Sequence, residues 1–145
     1  MKSGGGKILL IVILVVPALF AAGWYWHSIP GYEISVGSHV VEQAYYNKQS
    51  DLMVEVDGQV IRVVTADRSD SSLQWFQMRT PTGQHLMVAH DFGLEGPIPL
   101  SPLDAVTVRG RYEWTESGGT IRNTERDSSL ERMHGWVEFD GKRYD

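Results

Sequence analysis

From Leu52 to the C-terminus, apolar and polar residues alternate in short runs cut by glycine, proline and aspartate. Period-two runs of this length make half-buried antiparallel strands. Leu52, Val54 and Val56 alternate up to Gly58, and Ile61 and Val63 then take the opposite phase. A glycine where the apolar phase changes predicts a bulge or sharp coil, which lets one strand serve both sides of a small barrel. Residues 73–80 and 84–91 read as a hairpin across Pro81-Thr82-Gly83, with Phe76 facing Val88 and Met78 facing Leu86. Trp75, Gln77, Arg79, His85 and Met87 then share the opposite face.

Residues 105–114 alternate again, with Val106, Val108, Tyr112 and Trp114 on one face and Thr107, Arg109, Arg111 and Glu113 on the other. The turn at Ser117-Gly118-Gly119 returns the chain over residues 121–126. Aligning Trp114 with Ile121 places Glu113 opposite Arg122, Arg111 opposite Thr124 and Arg109 opposite Arg126. Asp140-Gly141 is a two-residue hairpin signal that sets Glu138 opposite Arg143 and Val137 opposite Tyr144. The whole pattern predicts an all-β domain over residues 51–145, a small antiparallel OB-like barrel. An SH3-like or split barrel is the alternative architecture.

Ahead of this domain, residues 28–50 read as a linker and one short helix. Pro30-Gly31 breaks the chain, and Val40, Val41, Ala44, Tyr45 and Lys48 recur at helical spacing over residues 36–49, with Ser38 as the expected cap. Such a helix lies across the end of a sheet domain or meets a partner. Residues 1–27 carry an apolar run that begins at Ile8, ends at Gly23 and holds no charged side chain. Extended through Trp24, Tyr25 and Trp26 it spans ~28 Å as a helix, close to the ~30 Å hydrocarbon core. Lys2 and Lys7 predict a cytoplasmic N-terminus, so the expected placement is a single-pass bacterial inner-membrane protein with a periplasmic domain. Cleavage after Ala21-Ala22-Gly23 is the competing reading and gives a secreted domain.

Charge and composition narrow the function. The 145 residues hold 18 acidic against 13 basic side chains and no cysteine. The acidic balance disfavours nucleic acid and anionic lipid. The missing cysteine excludes disulfides, a lipid-modified cysteine and thiolate metal sites. The histidines, His27, His39, His85, His90 and His134, form no i, i+4 pair. No nucleophile elbow, phosphate loop or dinucleotide fingerprint occurs, so no catalytic residue, metal or cofactor is assigned. His90 with Asp91 and Asp127 is either a satisfied barrel-end histidine or a hard-cation or general-base site. Trp75, Trp114 and Trp136 are core or rim packing, or a ligand platform. Arg109, Arg111 and Arg126 are either neutralised locally or form a basic patch for an anionic envelope partner.

The segments VEVDGQVIRVV, GQHLMVAHD, PIPLSPLDAVTVRGRYEW, GGTIRNTERD and HGWVEFDGKRYD resemble the bacterial domain of unknown function 3465 family over residues 49–145. The resemblance implies an exported OB-like domain with no established activity. It also implies a histidine-rich pattern, which this chain keeps at Ala89-His90-Asp91. Leu73-Gln74 stands where the family has a His-Gln pair, and residues 122–127 retain only Thr124 and Asp127 of a histidine cluster. Three functions are therefore open: a tethered binding or scaffold module without catalysis, a hydrolase of nuclease or phosphoesterase type, and an oligonucleotide-binding barrel.

Overall fold

A computed structural model describes residues 35–64, 72–126 and 134–145. The apolar run from Ile8 to Gly23, the Pro30-Gly31 breaker and Asp127 lie outside the described residues. Among the described residues no helix is long and apolar enough to cross a membrane.

The elements in chain order are β1 (Ser35–Val36), α1 (Ser38–Tyr46), β2 (Leu52–Val64), β3 (Leu73–Arg79), β4 (His85–Asp91), β5 (Ala105–Glu113), β6 (Thr120–Arg122), β7 (Trp136–Phe139) and β8 (Lys142–Tyr144). Strand β2 holds the architecture together. Its first part, from Leu52 to Gln59, pairs antiparallel with β5, and its second part, from Gln59 to Val64, pairs antiparallel with β3. Gln59 is thus shared, facing Ala105 on one side and Arg79 on the other. The circuit continues β3–β4–β6–β5 and returns to β2, which closes a five-stranded barrel. One joint of that circuit, β4 to β6, is parallel and rests on two residue pairs, Met87 with Thr120 and Val88 with Ile121. A coiled first strand that pairs with the second and fourth strands of the barrel, together with this parallel joint, makes it OB-like.

The coil falls where the sequence places it, but the bulge does not. Register shifts between Val60 and Arg62, so Ile61 is the extra residue rather than Gly58. Gly58 serves close packing instead, since a Cβ there would stand 3.0 Å from Met78 Cε and 3.1 Å from the Arg79 carbonyl. The β3–β4 hairpin has the expected register, with Phe76 opposite Val88 and Met78 opposite Leu86. Those four side chains, with Val54, Val56, Val106, Val108, Tyr112 and Ile121, form the core.

Helix α1 is shorter than residues 36–49, because Val36 pairs in parallel with Glu55 as part of β1. Its N-cap is Gly37, at φ 108, and no side chain caps it, so Ser38 does not take the expected role. Val41 and Ala44 reach the core and make the helix a plug for the barrel. Trp114 fastens it: the indole Nε1–H donates to the Tyr45 carbonyl (3.1 Å) and the ring stacks on Tyr45 at 6.4 Å. The β7–β8 hairpin adds to the exposed side of β5, with Glu138 opposite Arg143 and a 2.8 Å ion pair between them.

Candidate functional site

Polar residues converge at one place inside the barrel wall. Gln74 on β3 lies opposite His90 on β4, and both are buried. The Gln74 amide clamps the connection between β4 and β5, donating to the Ile98 carbonyl (2.9 Å) while accepting from the Ile98 N–H (2.8 Å). This seats Ile98 in the core. His90 is 2% exposed, and its Nδ1 lies 2.9 Å from Thr124 Oγ1. The Thr124 hydroxyl proton is directed at the Ala89 carbonyl (3.2 Å), so Oγ1 accepts from the imidazole and the neutral ring carries its proton on Nδ1.

Burial pulls the His90 pKa below its ordinary 6.5, against the upward pull of Asp91, the Thr124 backbone, Glu95 and Asp145. Asp91 is held below the usual carboxylate range by the Ser72 hydroxyl and by the Gly93 N–H (3.0 Å). The neutral ring at neutral pH has the character of a structural histidine more than that of an exposed base. Among the described residues no group of three His, Asp or Glu side chains is placed to hold a metal ion.

The arginines are distributed differently from the sequence expectation. Strands β5 and β6 align Tyr112 with Ile121, so Arg111 faces Arg122, and Glu113 faces Thr120. The expected partnership of Trp114 with Ile121 is displaced by two residues, and Arg109 does not face Arg126. The cause is twofold: Trp114 is drawn away to α1, and the buried Tyr112 hydroxyl donates to the Gly118 carbonyl (3.2 Å). A two-residue slip leaves every side chain on its original face, so alternation could not detect it.

Arg126 leaves the patch altogether, donating through Nε (3.3 Å) and Nη2 (2.9 Å) to the Asp145 carboxylate. Arg109 stands in the ladder between Glu55 on β2 and Trp136 on β7. Arg111 is ion-paired with Asp51. Arg122, absent from the expected site, approaches Glu113 (3.3 Å) and lies over the Trp75 ring, 5.1 Å from its centroid. Trp75 is therefore half-buried on the outer face beside an arginine, outside the core. The structure thus brings Trp75, Arg111 and Arg122 to the contiguous outer face of β3, β4, β6 and β5. It keeps His90 in the wall beneath them and sends Arg126 elsewhere. The signal for Arg122 was the parallel β4–β6 contact, which no local pattern announces.

The fold and this site define a small OB-like barrel module with a polar seal inside its wall and an arginine–tryptophan outer face. The family model described as protein of unknown function (DUF3465) matches residues 26–145, and the chain belongs to that family. The match takes in β1 and α1 as well as the barrel. A search of curated proteins finds no match.

Proposed function

We propose that this chain is a periplasmic binding module without catalytic activity, tethered to the bacterial inner membrane by the run from Ile8 to Gly23. It captures an anionic group of an envelope partner on the face of Trp75, Arg111 and Arg122. The observation that carries the reading is the direct opposition of Arg111 and Arg122 in the β5–β6 ladder. Like charges directly opposite are unfavourable, and here each is neutralised by a partly exposed carboxylate, Asp51 or Glu113. Surface pairs of this kind are weak, so a carboxylate or phosphate that engages both guanidinium groups at once displaces them. Against a hydrolase stands His90, which is sealed and bonded to Thr124. Against nucleic acid stands the net charge of −5.

The test uses full-length protein recovered from detergent-solubilised membranes. The parent captures a partner at low salt and loses it as salt rises, while Arg111→Gln with Arg122→Gln captures none at any salt. Unchanged recovery in the double variant refutes the assigned face. A C-terminal phosphatase fusion reports placement separately and is active only if the domain is exported.

A further inference from the structure

One turn is held in a conformation unsuited to its residue. Ser101-Pro102-Leu103-Asp104 is closed by the Asp104 N–H donating to the Ser101 carbonyl (3.2 Å), and Leu103 has φ 79. Proline second and a positive φ third describe a type II turn, whose third position belongs to glycine or asparagine. A leucine there is strained, and packing gives nothing back, because its side chain is 74% exposed.

The turn is nevertheless fastened from several sides. Leu103 N–H donates to the Val60 carbonyl (2.8 Å) and Val60 N–H to the Asp104 carbonyl (2.8 Å). Gln59 Nε2 donates to the Leu103 carbonyl (3.2 Å), and Asp104 Oδ2 accepts from Ser101 N–H (2.7 Å). The peptide that receives Leu103 N–H joins Val60 to Ile61, the bulged residue, whose own side chain is exposed.

The surroundings carry charges of both signs, with the Asp57 and Asp104 carboxylates beside Arg62 and Arg79. Gln59 faces Arg79 across the β2–β3 ladder. Among the described residues Arg79 makes no ion pair and no side-chain hydrogen bond, unlike Arg111, Arg122, Arg126 and Arg143. It borders a groove of about 500 Å³ that Asp57, Gln59, Thr80 and Thr82 also line. Asp57 accepts the Thr107 hydroxyl (2.7 Å), and the nearby Arg62 bonds the neutral Gln77 amide (3.0 Å).

We propose that Leu103, with Ile61 beside it and Arg79 across Gln59, is a docking surface for a partner protein that offers an apolar cleft flanked by a carboxylate. The exposed leucine fills the cleft and the unmatched guanidinium takes the carboxylate in a bidentate contact. This surface is built on β2, β3 and the turn before β5, and does not depend on the anion-binding reading of Arg111 and Arg122.

The test places a benzophenone photocrosslinking residue at Ser101 in the full-length protein, in its own membranes. Two variants remove the knob while suiting the backbone: Leu103→Gly relieves the positive φ, and Leu103→Asn tolerates it. The parent yields one discrete adduct with another protein. Leu103→Gly, Leu103→Asn and Arg79→Gln each reduce it by about tenfold or more, as expected for an anchor side chain. Leu94→Ser, an exposed leucine on another turn, leaves it unchanged. Purified Leu103→Gly melts at or above the parent temperature, so lost capture is not lost folding. An adduct at twice the chain mass, an adduct with lipid alone, no adduct, or one insensitive to these substitutions overturns the proposal.

Discussion

Replacing Gly119 by alanine should be among the most damaging single-methyl additions in the domain, and its cost separates into two measurable parts. Gly119 has φ 117, a region that L side chains rarely adopt. A Cβ there would also stand 2.2 Å from Tyr112 Cε2 and 2.6 Å from Cζ, well inside contact distance. Tyr112 has nowhere to go, since it is fully buried between Leu52 and Ile121 in the ladder. Backbone strain costs about 1–3 kcal/mol and overpacking a similar amount, so the total is ~2–6 kcal/mol. Against a typical domain stability of ~5–15 kcal/mol this is severe. Urea unfolding followed by tryptophan fluorescence measures it. Gly141→Ala is the internal control, because Gly141 has φ 73 but its Cβ would meet nothing within 4 Å. Adding Tyr112→Leu makes room for the new methyl, so the cycle should return the overpacking part, ~1–3 kcal/mol, and leave the strain. If Gly119→Ala costs no more than Gly141→Ala, or if the cycle shows no coupling, the steric account of this turn is wrong.

Two further outcomes test the core and the polar seal. Phe76→Ala, at a fully buried position opposite Val88, should cost ~3–5 kcal/mol by the same urea assay, and a midpoint within experimental error of the parent would mean the β3 phase is misassigned. His90 has a folded-state pKa below 6.5, so the unfolded chain binds its proton first; this stability is complete above about pH 6.5 and is lost as pH falls towards the folded value. The parent should therefore weaken between neutral pH and pH 5 with a slope that His90→Gln flattens, and a parent whose stability stays level across that range contradicts the buried neutral ring.

The parts of this fold that were legible in the sequence are those whose register is set by a short turn. Pro81-Thr82-Gly83 and Asp140-Gly141 leave the strands on either side no choice of partner, and Phe76–Val88 and Glu138–Arg143 face each other as expected. The buried face of β5 was legible for a different reason, since Val106, Val108 and Tyr112 obey a strict period of two. What escaped was information that strands receive from distant segments. The two-residue displacement of β6 depends on Trp114 being drawn to Tyr45 and on Tyr112 reaching Gly118. The two-residue β1 is too short to alternate at all, and the placement of Arg122 over Trp75 needs β3, β4 and β6 to be assembled first. A hydrogen-bonded barrel-end histidine was one of two readings open for His90, and its partner Thr124 was not legible, because they meet across that same joint.

The narrow parallel joint between β4 and β6 also has a kinetic meaning. The hairpins β3–β4 and β7–β8 bring together neighbours in sequence, whereas Met87 and Thr120 meet only after the whole connection through β5 has been placed. Loop-closure entropy is met before such a contact returns anything, so this joint belongs among the last to form and the first to part. It is a clasp of two residue pairs, supplemented by the Met87 N–H donating to the Gly119 carbonyl (3.0 Å), by the Gln84 amide donating to the Gly118 carbonyl (2.6 Å) and by the bonds of Thr124 to His90 and the Ala89 carbonyl. When the clasp parts, β4 separates from β6, His90 loses Thr124 and the interior polar cluster meets water. The barrel is then a curled, open sheet with its remaining strand pairings intact. The cost of this opening includes exposing Val88 and Ile121, which are fully buried, and is bounded above by that of global unfolding. Among the joints of the barrel this is the one where amide exchange should be fastest, directly under the face that carries Trp75 and Arg122.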